Sequence, residues 1–224
     1  MSSRQEEKEH RRQERLEHEQ SEAAARARVR RLQIAFGALL GAVAIAAIVW
    51  AITSSDGKKK ALSPKAPPPP SLTAAATAAG CVARTVPIEG HSHVPGSVNY
   101  RGNPPTSGNH NPTPAADGDY VGKPVPAKEM TVHTLEHGRI EIQYRPGTAA
   151  SVIGQLEGLF NEQLGNLPSG YHVLLFQNQT NMPFAVAATA WGHYLGCPKF
   201  NAKVPAAIRA FRVAYTDKAP EQIP

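Results

Sequence analysis

Histidine is the residue whose number and spacing in this chain invite chemistry. Nine occur among 224 residues, and seven of them follow Gly80. Neutral imidazole is the commonest side-chain ligand for zinc and also serves copper, iron and nickel. Four histidines stand out: His93 in His-Ser-His-Val, His110 in Pro-Pro-Thr-Ser-Gly-Asn-His, and His133 and His137 in Val-His-Thr-Leu-Glu-His-Gly. If residues 127–137 are helical and Gly138 stops them, His133 and His137 project from one face a turn apart. Such a pair can chelate one ion with bonds of about 2.0–2.1 Å. In an extended segment the same two rings would lie about 13 Å apart. His93, His110, His133 and His137 are therefore the candidate ligands for zinc or copper, with Glu136 as a carboxylate that orients a ligand histidine from behind.

Two other readings use the same residues. His133-Thr-Leu-Glu136-His137 matches the H-x-x-E-H pattern of inverted zinc peptidases, with Glu136 as general base. That chemistry needs a third ligand, for which Glu157 and Glu162 are candidates, and a long helix that Gly138 cuts short. In the other reading the histidines only tie loops to backbone carbonyls, and the domain is a non-catalytic scaffold. Remaining chemistries lack their signatures: there is no G-x-S-x-G elbow, no C-x-x-C and no glycine-rich phosphate loop. His172 reads as a satisfied histidine within an apolar strand, and Trp191, Tyr194 and Phe200 as small-core packing.

The elements that must position these side chains follow from periodicity. Arg139 to Tyr144 alternates as a strand with one wet face, Tyr171 to Phe176 fits a central strand, and Phe184 to Trp191 a neighbouring one. Ala149 to Leu164 places Val152, Leu156, Leu159 and Phe160 on one side of a helix that Gly165 ends. Pro205 opens a last helix with Ile208, Phe211 and Tyr215 on one face. This order predicts an α+β domain over 81–224, a small mixed sheet carrying two packed helices. Residues 81–126, with eight prolines and six glycines, form a loop layer that holds His93 and His110 against that scaffold.

Upstream, residues 34–52 are nineteen residues without a charge, about 28 Å of helix, which matches the hydrocarbon thickness of a bilayer. A charged arm, 1–33, precedes this span, and a Pro/Ala/Lys-rich linker, 53–80, follows it. Arg26, Arg28, Arg30 and Arg31 on one side balance Lys58, Lys59, Lys60 and Lys65 on the other, so flanking charge does not orient the span. The larger domain and both cysteines follow it, which places the arm in the cytoplasm and the domain outside. There Cys81 and Cys197 read as one disulfide, closing a loop whose chain-entropy effect is about 4–5 kcal/mol; two buried free thiols are the alternative. The formal charge of +6 gathers at the ends of the apolar run, and residues 81–224 carry eleven basic against ten acidic groups. A nucleic-acid binder would line one domain face with its basic groups, so that class is excluded.

Gly90-His-Ser-His-Val94, Gly96-Ser-Val-Asn-Tyr100, Pro104-Pro-Thr-Ser-Gly-Asn-His110, Gly118-Asp-Tyr120, Val132-His-Thr-Leu-Glu-His-Gly138, Ala190-Trp-Gly192 and Ala219-Pro-Glu221 occur in that order. This string resembles the bacterial membrane-anchored family known as domain of unknown function 3105, over roughly residues 80–222. The resemblance implies an envelope protein with one span and a disulfide-capable outer domain, and carries no catalytic residue or cofactor. The function expected is a membrane-anchored, extracytoplasmic and non-enzymatic module that binds zinc or copper; a metal-dependent hydrolase of envelope peptides or amides and a plain scaffold are the alternatives. The lipid bilayer is the one partner expected.

Overall fold

The computed structural model describes residues 64–221 and residue 223. The arm 1–33, the apolar run 34–52 and residues 53–63 lie outside them. Among the described residues no helix is long and apolar enough to cross a membrane.

The first helix, α1 (Leu72–Ala79), lies inside the segment read from composition as linker, so the ordered domain starts earlier than residue 81. The alanine-rich patch offers little apolar area, which is why it reads as linker. Alanine is nonetheless the best helix former, and its small side chains let two helices come close. Ser71 Oγ accepts the Ala74 N–H at the N-terminus, and Gly80 ends the helix in the left-handed region. Ala75, Ala76 and Ala79 are buried, and α1 packs on the last helix, α4 (Val204–Tyr215).

Six strands form one sheet in the order β1-β6-β5-β3-β4-β2: β1 (Val82–Thr85), β2 (Gly118–Asp119), β3 (Ile140–Tyr144), β4 (Val173–Gln177), β5 (Val186–Ala190) and β6 (His193–Cys197). β3, β4 and β2 run parallel, and β5, β6 and β1 complete the sheet with antiparallel pairs. The helix α3 (Ala150–Asn161) is the crossover between parallel β3 and β4, and α2 (Lys128–Glu136) precedes β3. The class is α+β with a mixed sheet, and four helices pack on it instead of two. Beside α1, the extra elements are β1, the two-residue β2 and α2. β6 begins at once after the Trp191-Gly192 turn, where its alternation merges with that of β5.

One sheet face is the apolar core. Ile140, Ile142, Val173, Leu175, Val186, Ala188 and Leu195 meet Leu156 and Leu159 of α3 and Ile208 and Phe211 of α4. Cys81 and Cys197 are bonded (S–S 2.04 Å) at the rim of this core, next to the Val82–Gly196 pair of the β1–β6 ladder. The thiol alternative is thereby removed.

The other face corrects the expectation of a wet side on β3. All five residues of β3 are buried, because α2 and the loop layer cover the face that carries Glu141 and Gln143. Glu141 Oε2 accepts from Gln143 Nε2 (2.7 Å) and Thr189 Oγ1 (2.8 Å); Gln143 Oε1 accepts from Asn178 Nδ2 (2.7 Å). Asn178 passes the network to Thr180, whose hydroxyl donates to Asn103 Oδ1 (2.7 Å) in the loop layer. The alternation is real, but it encodes a buried polar seam.

Desolvation pushes the Glu141 carboxyl up to about 7. The folded chain therefore keeps a proton there between about pH 4.5 and 7 that the unfolded chain has lost. This group's contribution is complete at low pH and is lost as pH rises to about 7, a change on the order of 3 kcal/mol. Glu141→Gln, which retains an acceptor for Thr189, should remove that loss. Relative to the wild type it should gain stability from pH 5 to 7.5 in denaturant titrations, and a pH-independent difference would refute the assignment.

Candidate metal centre

Local sequence explains how each imidazole is placed. α2 follows Pro124 and Pro126, which keep the chain extended, and carries Glu129 in its first turn, where a carboxylate suits the helix dipole. It ends at Gly138 with φ +80°, and a Cβ there would lie 2.8 Å from Asp217 Cα. His133 sits in the last turn and His137 caps the C-terminus, so the helical condition for a shared face is met. His110 is set by the loop Pro104–His110. Gly108 has φ +128°, and a Cβ on it would strike the Tyr100 ring at 2.7 Å. Tyr100 in turn donates its hydroxyl to Asn109 O (2.9 Å). His93 is joined to His110 by a short parallel bridge, with Val94 N–H on His110 O (2.8 Å) and His110 N–H on Ser92 O (3.0 Å).

These three segments bring all four rings together. Ring centroids are 4.6 Å apart for His93–His133 and His110–His133, 5.0 Å for His93–His110 and 4.5 Å for His133–His137. His110, His133 and His137 are buried, whereas His93 is exposed at the rim. Two outward nitrogens are engaged by backbone carbonyls: His110 Nδ1 donates to Gly108 O (2.8 Å) and His133 Nδ1 to Asn111 O (2.6 Å). That fixes their protons on Nδ1 and leaves the Nε2 lone pairs facing the cluster. His133 Nε2 lies 3.0 Å from His137 Nε2. His110 Nε2 is fully enclosed, lies 3.1 Å from Glu136 Oε2, and is out of hydrogen-bonding alignment with it.

Glu136 thus sits on the inner side of the cluster, against the nitrogen that would ligate. The orienting role expected for it is filled instead by the carbonyls of Gly108 and Asn111. Nearest His137 is a residue not singled out as a ligand, Glu221, with its Oε2 3.2 Å from His137 Nε2. Its only signal in the sequence was membership of the Ala219-Pro-Glu221 string. Donor atoms of His93, His110 and His133 all lie within 4.8 Å of one another, as do those of His133, His137 and Glu221. The third ligands suggested for a peptidase are elsewhere: Glu162, just past the end of α3, is clamped by Arg209 at 2.8 Å with Arg212 beside it, and Glu157 lies on α3. His172 precedes β4 with φ +49° and pairs with Asp217, and His193 bonds Thr85 and stacks on Tyr215. Trp191 meets the edge of His110 at 6.0 Å and shields it with Val132 and Leu135.

Burial lowers the pKa of His110, His133 and His137, and for His137 the neighbouring His133 adds to it. Burial, then the Glu221 charge, raises that of Glu136. The rings are thus neutral, the form that binds metal. Their contribution to stability is complete above about pH 6.5 and is lost as pH falls, because the unfolded chain then takes up protons that the folded one refuses. In a proton NMR titration with chelator present, the ring resonances of these three histidines should reach their midpoints below 6.5. Midpoints above it would show that the cluster is not built for neutral imidazole.

No curated protein and no solved structure shows a significant match to this chain. A family model, described as a protein of unknown function (DUF3105), matches residues 91–223, more than half of the chain and every residue of the cluster. The chain belongs to the DUF3105 family.

Proposed function

We propose that this protein is a membrane-anchored, extracytoplasmic module that holds one zinc or copper ion in the His93–His110–His133–His137 cluster and does no chemistry on it. The carrying observation is the division of labour on two rings, with outer nitrogens on carbonyls and inner nitrogens turned toward a common space. Carbonyl bonds alone would suit the scaffold reading. They do not account for a buried His110 Nε2 without a hydrogen bond. A cation in the cluster would give that nitrogen a partner. Both cysteines are consumed in the disulfide, so the donors are imidazole and carboxylate, a set that suits zinc or copper(II). The helix ends at His137, which leaves the peptidase pattern without its long active-site helix.

Placement is supported by the uncharged run 34–52, long enough to span a bilayer, and by the disulfide, which persists in oxidising compartments. The full chain, purified in detergent and stripped with chelator, should take up about one zinc ion. At a hundredfold excess over Kd this should add about 2.7 kcal/mol and raise Tm by several degrees. His133→Ala, which removes the ring common to both donor groups, should abolish the shift; no shift in the wild type would end the metal reading. Protease added to intact expressing cells should remove the domain and leave the arm, and full protection would reverse the orientation.

A further inference from the structure

We infer that Glu221 is itself a ligand of the ion, carried to the site by the C-terminal tail, and that its carboxylate makes the site prefer zinc(II) to copper(I). This rests on the metal reading above and adds the ligand that the four histidines leave out.

His133 belongs to both donor groups. Its Nδ1 is held by Asn111 O, so only Nε2 is free to bind, and one nitrogen lone pair serves one ion. The two groups therefore share one lone pair, and an ion bound through it is held by one group at a time. Around His137 Nε2, the neighbours His133 Nε2 and Glu221 Oε2 stand at 3.0 and 3.2 Å. A proton on His137 Nε2 can satisfy only one of them, whereas a cation serves all three. In a tetrahedral zinc site with bonds of about 2.0–2.1 Å, neighbouring donors are separated by about 3.3 Å. Two of the three separations among these atoms are close to edges of that tetrahedron, and the third lies within 4.8 Å.

The tail is arranged to bring the carboxylate there. Asp217 N–H donates to Gly138 O (3.0 Å), and its carboxylate accepts from His172 Nδ1 (2.5 Å) and the Tyr171 hydroxyl (3.1 Å). Ala219 rests on Val132, Leu135 and Trp191, and Glu221 N–H donates to Glu136 O (3.1 Å). Each contact anchors the tail to α2, to the turn after it or to the residues beside it. The Glu221 side chain is itself 46% exposed, so burial does not explain its inward direction. An anionic oxygen beside imidazoles hardens the donor set, which favours zinc(II); imidazoles alone also accept copper(I).

The test uses the full chain in detergent, with zinc and copper(I) affinities from chelator competition and hydrogen exchange of the tail peptide. Zinc should slow exchange over 216–221 in the wild type. Glu221→Gln should weaken zinc binding about tenfold or more, abolish that slowing, leave copper(I) affinity within about threefold, and leave the metal-free Tm unchanged. Wild-type zinc affinity in Glu221→Gln, with binding abolished in His133→Ala, would overturn the inference and keep the metal site. Equal losses for both ions would overturn the selectivity. Absence of binding in the wild type would remove the inference together with the function beneath it.

Discussion

Two short hydrogen bonds, from His133 Nδ1 to Asn111 O and from His110 Nδ1 to Gly108 O, decide what the cluster can be. An imidazole has one proton and one lone pair when neutral, and a carbonyl that takes the proton on one nitrogen exports the lone pair through the other. Backbone carbonyls are more rigid than a side-chain carboxylate, because the whole loop would have to move to release the ring. This is why the loop layer, proline-rich and poor in regular structure, is ordered. Its shape fixes where its carbonyls point.

That rigidity is borrowed from the sheet. Glu141, Gln143, Thr189 and Asn178 form a buried polar seam under α2 and the loop layer, and through Thr180 it reaches Asn103. Apolar contact would hold the layers together without specifying their register. Directional bonds in a medium of low polarity fix it, at the cost of burying a carboxylate. The apolar face does the opposite work. Packed against α1, α3 and α4, it supplies most of the burial and leaves the polar face free to carry geometry.

The strands β3, β4 and β5, the two longer helices and the convergent histidines were legible in the sequence because each rests on local periodicity or on an uncommon residue; the strand order was not, since the strand expected beside Tyr171–Phe176 pairs instead with β3 and β6. The parts that were not legible depend on partners distant along the chain. Leu72 to Ala79 looked like linker because its alanines have value only against α4. Alternation in β3 was read as wet because nothing local distinguishes a solvated face from one covered by α2. Glu221 was invisible as a donor because it lies 84 positions beyond His137 and sits in a tail without periodicity. Glu136 was assigned to the wrong side of the ring because spacing alone does not say which nitrogen a carboxylate will meet.

The Cys81–Cys197 bond has a mechanical meaning apart from its effect on chain entropy. β1 is an edge strand held by four residue pairs, the sort of element that a pull from the N-terminal direction would peel away one rung at a time. The cross-link sits at the end where such peeling would begin. Tension that reaches Cys81 is handed directly to Cys197 at the end of β6, which is paired on both sides, so the β1–β6 ladder is bypassed. The histidine cluster lies on the face opposite the apolar core, away from this cross-linked edge.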